Sequence, residues 1–186
     1  ITVDDVVDVI REENERSLMS AAGLDEEYDI FAPIWSTTRR RTLWLAVNLA
    51  TAFLAAWVIG LFEATIKQLV ALAVLMPVVA SMGGIAGTQT LTIMIRGLAL
   101  GHVGAANARS VLYREITVGL LNGILWAMVA AAIAAAWFGN PKLGAVIGCA
   151  MVFNLLTAAF AGAAIPLALK RLDIDPALAG GVLLTT

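Results

Sequence analysis

The chain has 186 residues, of which 60% are hydrophobic and only 14% charged, and its mean hydropathy is +0.87. A water-soluble core of this size does not need so much apolar surface. The net charge of −2 hides a division: residues 1–30 hold ten acids against Arg11 and Arg16, a balance of −8, and the rest holds ten bases against four acids, a balance of +6. A basic, mostly apolar body behind an acidic head reads as a membrane domain joined to a soluble element, and it speaks against a nucleic-acid partner. Cys149 is the single cysteine, so there is neither an intrachain disulfide nor a cysteine metal cage. The acidic start is unlike the basic n-region of a signal peptide.

Residues 1–20 have helical periodicity, with Val3, Val6, Val7 and Ile10 on one face. Thr2 with Asp5 forms a plausible capping box. Asp4, Asp5, Asp8, Glu12 and Glu15 fall within about 100° of one another, opposite the valines. Gly23 ends this helix or helix pair, and residues 25–35 link it to the membrane with Pro33 as a breaker. Thirty residues cannot bury a core of their own, so the valine face is expected to pack on an upstream part.

A membrane-spanning helix needs about 20 mostly apolar residues. Four complete candidates follow, at 43–62, 69–95, 116–138 and 143–169. A fifth begins at Pro176 and reaches residue 186 after about 16 Å, roughly half the hydrocarbon thickness. The sequence therefore reads as a fragment cut at both ends. Arg39, Arg40 and Arg41 precede the first span, Arg96, Arg109 and Arg114 flank the second turn, and Lys170 and Arg171 follow the fourth span. The opposite loops offer only Lys67 and Lys142. Because cytoplasmic loops carry the excess of Lys and Arg, the N-terminus is expected in the cytoplasm.

The most informative stretch is 77–101, PVVASMGGIAGTQTLTIMIRGLALG. It sets Pro77, the glycines Gly83, Gly84 and Gly87, and the polar run Thr88, Gln89, Thr90 and Thr92 inside an apolar span. Two readings are open. The glycines and proline can loosen the backbone so that the segment lines a pore with oxygen atoms. Alternatively, the glycines only pack helices and the threonines bond back to their own helix. Elsewhere Glu115 reads as an ion pair with Arg114 or a contact at a helix N-terminus. Asn48, Asn122 and Asn154 read as interhelical hydrogen-bonding groups.

The same stretch resembles the second transmembrane helix of the MgtE family of magnesium channels and transporters. The family pattern is roughly P-V-x(4)-G-G-N-x-G-x-Q-[ST] followed by an Arg, and Pro77, Gly83, Gly84, Gly87, Gln89, Thr90 and Arg96 match it. Arg114-Glu115 with Gly119, Pro166, and Asp175-Pro176-Ala177 extend the likeness over nearly the whole chain. Ile85 stands where the family has Asn, and the family's pore carboxylate falls about three residues beyond Thr186.

The resemblance implies an all-α polytopic membrane protein with five transmembrane helices per protomer, the fifth truncated, preceded by an acidic amphipathic cytoplasmic helix. Residues 1–38 correspond to the end of a CBS-type region, a plug helix and a linker, and residues 39–186 to the pore domain. It implies a homodimer in the lipid of the bacterial inner membrane, with a missing upstream CBS-type domain as neighbour and Mg²⁺ as both transported and regulatory ion. Pore-lining roles carry over onto Gly87, Thr88 and Thr92 of the second span and Gly181 and Thr185 of the fifth. Asp4, Asp5, Asp8, Glu12, Glu13 and Glu15 would hold regulatory Mg²⁺ in the cytoplasm. The alternative for that stripe is a solvated polar face.

Mg²⁺ fits oxygen donors, being octahedral and slow to give up water, whereas Cys and His suit softer metals. Entry of a divalent cation at −100 mV is favoured by about 4.6 kcal/mol, so no nucleotide motif is needed, and no Gly-x(4)-Gly-Lys-Ser/Thr occurs. Three other classes stand beside a channel. One is a gradient-coupled carrier of Mg²⁺ or a divalent such as Co²⁺. Another is a non-transporting Mg²⁺ sensor or scaffold. The last, an intramembrane enzyme, lacks any His or Asp within the four complete spans.

Overall fold

The computed structural model describes residues 33–104 and 106–172, and these are helical throughout apart from short turns. The helices are α1 (Ile34–Gly60), α2 (Glu63–Gln68), α3 (Val70–Ala99), α4 (Ala108–Phe138) and α5 (Pro141–Arg171). By length and composition α3, α4 and α5 can each cross a membrane, and α1 contains the apolar stretch Leu45–Gly60. The expected fifth span and the acidic N-terminal helix lie outside the described residues.

Two of these helices begin well before the apolar runs in the sequence. α1 starts at Ile34 rather than at residue 43, and α4 at Ala108 rather than at residue 116. Apolar counting finds only the hydrocarbon part of a helix, and the added turns carry Arg39, Arg40, Arg41, Arg109 and Arg114. Arg109 lies over the Tyr113 ring at 5.8 Å, a cation–π contact on one of these turns.

The turn between α4 and α5 is closed by three consecutive residues. Gly139 takes φ +61°, the left-handed conformation that ends a helix and costs glycine nothing. Asn140 then caps α5, its Oδ1 accepting from Lys142 N at 3.1 Å and Leu143 N at 3.3 Å. Pro141 follows in the first turn, where its missing N–H is harmless. At the other end Asn107 organises the α3–α4 connection. Its Oδ1 accepts from Gly104 N at 2.8 Å, and its Nδ2 donates to the His102 carbonyl at 2.7 Å. Val103 N also bonds the Gly97 carbonyl, and the Val103 side chain is buried.

These connections set α4 antiparallel to α5 and α3 parallel to it. α5 is the central helix, packing against both neighbours, while α3 and α4 barely touch each other. Small residues make the α4–α5 approach close. Gly119, Gly123, Ala127, Ala131 and Ala135 recur every four residues along one face of α4 and meet Leu155, Val152, Gly148 and Gly144 of α5. A Cβ on Gly144 would stand 2.5 Å from the Ala131 carbonyl oxygen. Three layers of apolar side chains fill the bundle: Leu75, Ala134, Leu143 and Ile147 at one end; Ala127, Met151 and Leu155 in the middle; Met94, Leu98, Val103 and Ala163 at the other. α1 makes at most isolated contacts with the other described helices.

Candidate functional site on helix α3

α3 runs unbroken through Pro77 and through Gly83, Gly84 and Gly87. Pro77 removes the N–H that Ala73 would otherwise accept one turn earlier, but the helix does not unwind there. The local backbone thus stays regular, and the two sequence readings divide between the faces of the helix. Gly83 and Gly87 are packing glycines, and the threonine hydroxyls bond back to their own helix: Thr88 Oγ1 donates to the Gly84 carbonyl at 2.9 Å and Thr92 Oγ1 to the Thr88 carbonyl at 2.8 Å.

The polar run is split between two faces. At about 100° per residue, Gly83, Gly87, Thr90, Leu91, Met94 and Leu98 form one stripe, and all six are buried against the bundle. A Cβ on Gly162 of α5 would stand 2.7 Å from the Gly87 carbonyl oxygen and 3.0 Å from Thr90 Cβ, so the two backbones meet there. On the opposite side Ser81, Gly84, Ile85, Thr88, Gln89, Thr92 and Ile93 line a shallow open groove. No other described helix covers it. Thr88 and Thr92 therefore lie together on the open face, while Gly87 belongs to the seam. Ser81, Gly84, Gln89 and Ile93 join the groove, and their signal is helical spacing: Gly84 stands four before Thr88, Gln89 three before Thr92, Ser81 three before Gly84 and Ile93 four after Gln89.

The groove is lined by neutral groups only. Among the described residues no set of His, Cys, Asp or Glu side chains is gathered closely enough to hold a metal ion. Each threonine hydroxyl has one proton, and here that proton is committed to a backbone carbonyl. The outward oxygen lone pairs are left as acceptors. Repeated four residues apart, they stand about 6 Å from each other along the helix. Gly181, Thr185 and the carboxylates Asp4, Asp5, Asp8, Glu12, Glu13 and Glu15 lie outside the described residues.

Glu115 differs from its sequence reading. It is buried near the start of α4, one turn before Gly119, and it forms no ion pair among the described residues, while Arg114 is exposed. Neighbouring residues on a helix point about 100° apart, so a bundle that buries Glu115 turns Arg114 outward. Of the three amides, Asn154 does bridge helices, its Nδ2 donating to the Val79 carbonyl oxygen at 2.5 Å. Asn122 is exposed on α4, and Asn48 Oδ1 is buried without a hydrogen-bond partner among the described residues.

The family described as MgtE, divalent cation transporter, matches residues 76–186, the part that contains α3, α4 and α5. The whole chain is 34% identical over 188 residues to "Magnesium transporter MgtE" of Bacillus subtilis (strain 168), of which it covers 41%. It is 32% identical to the protein of that name from Enterococcus faecalis, again covering 41%, and 31% identical to that from Thermus thermophilus, covering 42%. In each case all of this chain is matched, and the chain spans about two fifths of the relative's length. The Pro77, glycine, Gln89-Thr90 and Arg96 pattern of α3 falls wholly within the matched region. The chain belongs to the MgtE family of divalent cation transporters, a membrane transport family and not a family of enzymes.

Proposed function

We propose that this chain is the membrane part of a Mg²⁺ transport protein and that the open face of α3 is one wall of its ion pathway. The observation that carries the reading is the pair of acceptor-only hydroxyls, Thr88 and Thr92, on a face no other described helix covers. A hydrated Mg²⁺ presents a shell of outward O–H donors and sheds that shell reluctantly. A wall suited to it offers oxygen acceptors at water distance, not a tight cage of ligands. The glycine backbone at Gly84 and the hydroxyls one and two turns on supply such a wall. Gly181 and Thr185 are proposed to face it from the following span, with Gly87 placing the wall from behind. The name shared by the relatives supports Mg²⁺ as the cargo.

In this reading the protein works in the bacterial inner membrane as a homodimer, with its N-terminus in the cytoplasm. Mg²⁺ moves down its electrochemical gradient as through a channel. Cytoplasmic Mg²⁺ held by Asp4, Asp5, Asp8, Glu12, Glu13 and Glu15 against an upstream CBS-type domain closes the pathway. Neutralising repulsion within a carboxylate stripe is the physical basis, since a divalent ion between like charges reverses the sign of their interaction.

The test is Mg²⁺ influx into proteoliposomes holding the full-length protein, with an indicator inside, an imposed inside-negative potential and no other ion gradient. Uptake that grows with voltage is the expected result. Uptake that waits for a Na⁺ or H⁺ gradient would replace the channel by a carrier, and none under any gradient would leave a sensor or scaffold. Replacing the six N-terminal carboxylates by amides should make uptake persist when Mg²⁺ is raised on the cytoplasmic face.

A further inference from the structure

The rotation of α3 decides which of its residues meet the bundle and which meet the groove. A turn of about 100° would exchange one face for the next. Apart from the close approach of Gly162 to Gly87 and Thr90, little in the structure holds that rotation by direction. Among the described residues α3 touches α4 hardly at all and is uncovered on its groove side, so its one extensive neighbour there is α5. Most of that contact is apolar, made by Leu75, Leu91, Met94 and Leu98. Apolar packing favours burial but is not directional.

One contact is directional. Asn154 of α5 donates from Nδ2 to the Val79 carbonyl oxygen, and among the described residues this is the one side-chain hydrogen bond that joins two of the helices. The amide lies directly across Gly83: a Cβ built there would stand 2.5 Å from both Nδ2 and Oδ1 of Asn154. Gly83 is thus the gap into which the amide fits, and Val79, one turn earlier, is where it is fastened. In hydrocarbon an amide without a partner is costly, so the bond has no competitor in the surrounding lipid. Ser81 and Gly84, which line the groove, are within two residues of Val79 or next to Gly83.

We infer that Asn154 is a positioning residue for the ion pathway: its amide, seated across Gly83 and bonded to Val79, fixes the rotation of α3 that turns Ser81, Thr88 and Thr92 toward the groove. The inference rests on the proposed role of that groove. Its geometric content can be measured without transport.

The experiment uses the full-length protein in liposomes, with native cysteines replaced and single cysteines placed at Ser81 or Thr92 on the groove and at Leu91 on the seam. Reaction rates with a charged, membrane-impermeant thiol reagent are compared between the Asn154 parent and Asn154→Leu, which keeps bulk and loses the donor. The groove cysteines should slow and the seam cysteine should quicken, each by about threefold to fifteenfold, the ratio equivalent to one hydrogen bond between membrane helices. Mg²⁺ uptake should fall by a similar factor, with the ratio of Mg²⁺ to Ca²⁺ uptake changed. Asn154→Gln, which keeps an amide donor, should restore part of both.

If Asn154→Leu does not assemble, Asn154→Ala and Gly83→Ala carry the test as a cycle. Gly83→Ala should slow uptake and groove labelling in the parent and add little once Asn154 is alanine, because the displaced amide is gone. Unchanged labelling in every Asn154 variant, or additive effects of the two substitutions, overturns the inference. Absence of Mg²⁺ uptake in the parent would instead overturn the proposed function, and the labelling would still decide the role of Asn154.

Discussion

Glycines that look alike in the sequence do different work according to what stands opposite them. Gly162 is wedged against the Gly87 carbonyl and Thr90, and a methyl group there would overlap backbone that has no freedom to move aside. Gly60, at the end of α1, has nothing within 4 Å of a built Cβ. Gly162→Ala should therefore destabilise the folded protein in detergent by about 1–3 kcal/mol, the cost of overpacking a close seam. Gly60→Ala should change stability by no more than about 0.5 kcal/mol. Thermal unfolding followed by loss of the monodisperse size-exclusion peak compares the two. Equal shifts would mean that the α3–α5 approach at Gly87 is looser than the structure has it.

At the scale of the helix, α3 was legible in its extent and polarity but not in its rotation. The apolar run announced a span, and the glycine and threonine residues marked it as unlike its neighbours. Both of its faces, however, carry small and polar side chains: Gly83, Gly87 and Thr90 on one, Ser81, Gly84, Thr88 and Thr92 on the other. Periodicity groups each set, but only the partner helix decides which set is buried, and the partner is specified 75 residues away by Asn154 and Gly162. Helix starts escape apolar counting for a related reason, since the arginine-bearing early turns of α1 and α4 are helical by hydrogen bonding and not by apolar content. The division of α3 makes a prediction that composition alone does not. Thr88→Val and Thr92→Val each remove a hydroxyl bonded within α3 on an open face. Stability should barely change, because no contact with another described helix is lost. Mg²⁺ uptake should fall by about threefold to tenfold for each, on the scale of one lost hydrogen-bond acceptor. Thr90→Val, on the buried face, should reverse that order, affecting stability more than flux. If all three variants behave alike in flux, the groove is not the pathway.

At the scale of the molecule, the antiparallel packing gathers charge that is scattered along the sequence. The C-terminal end of α3, the N-terminal end of α4 and the C-terminal end of α5 share one side of the bundle, and they bring Arg96, Arg109, Arg114, Lys170 and Arg171 together there. The opposite side has Lys142 at the start of α5 and Lys67, whose charge is matched by Glu63 at 2.6 Å on α2. An exposed pair of that kind adds little stability, but it cancels one of the two positive charges on its side. A basic residue near an anionic cytoplasmic leaflet is favoured by about 1 kcal/mol, so the imbalance supports the proposed orientation with this end in the cytoplasm. If the bundle has the proposed orientation, the inside-negative potential draws a divalent cation toward the arginine-rich end. Single cysteines at Lys67, His102 and Lys142 of the full-length protein, otherwise free of cysteine, test it directly. In intact cells an impermeant thiol reagent should label the Lys67→Cys and Lys142→Cys variants, and His102→Cys only after the membrane is opened. The reverse pattern would place the arginines outside and the N-terminus with them. An acidic N-terminal helix on that face would be out of reach of cytoplasmic Mg²⁺, and feedback through its carboxylates would fall with the orientation.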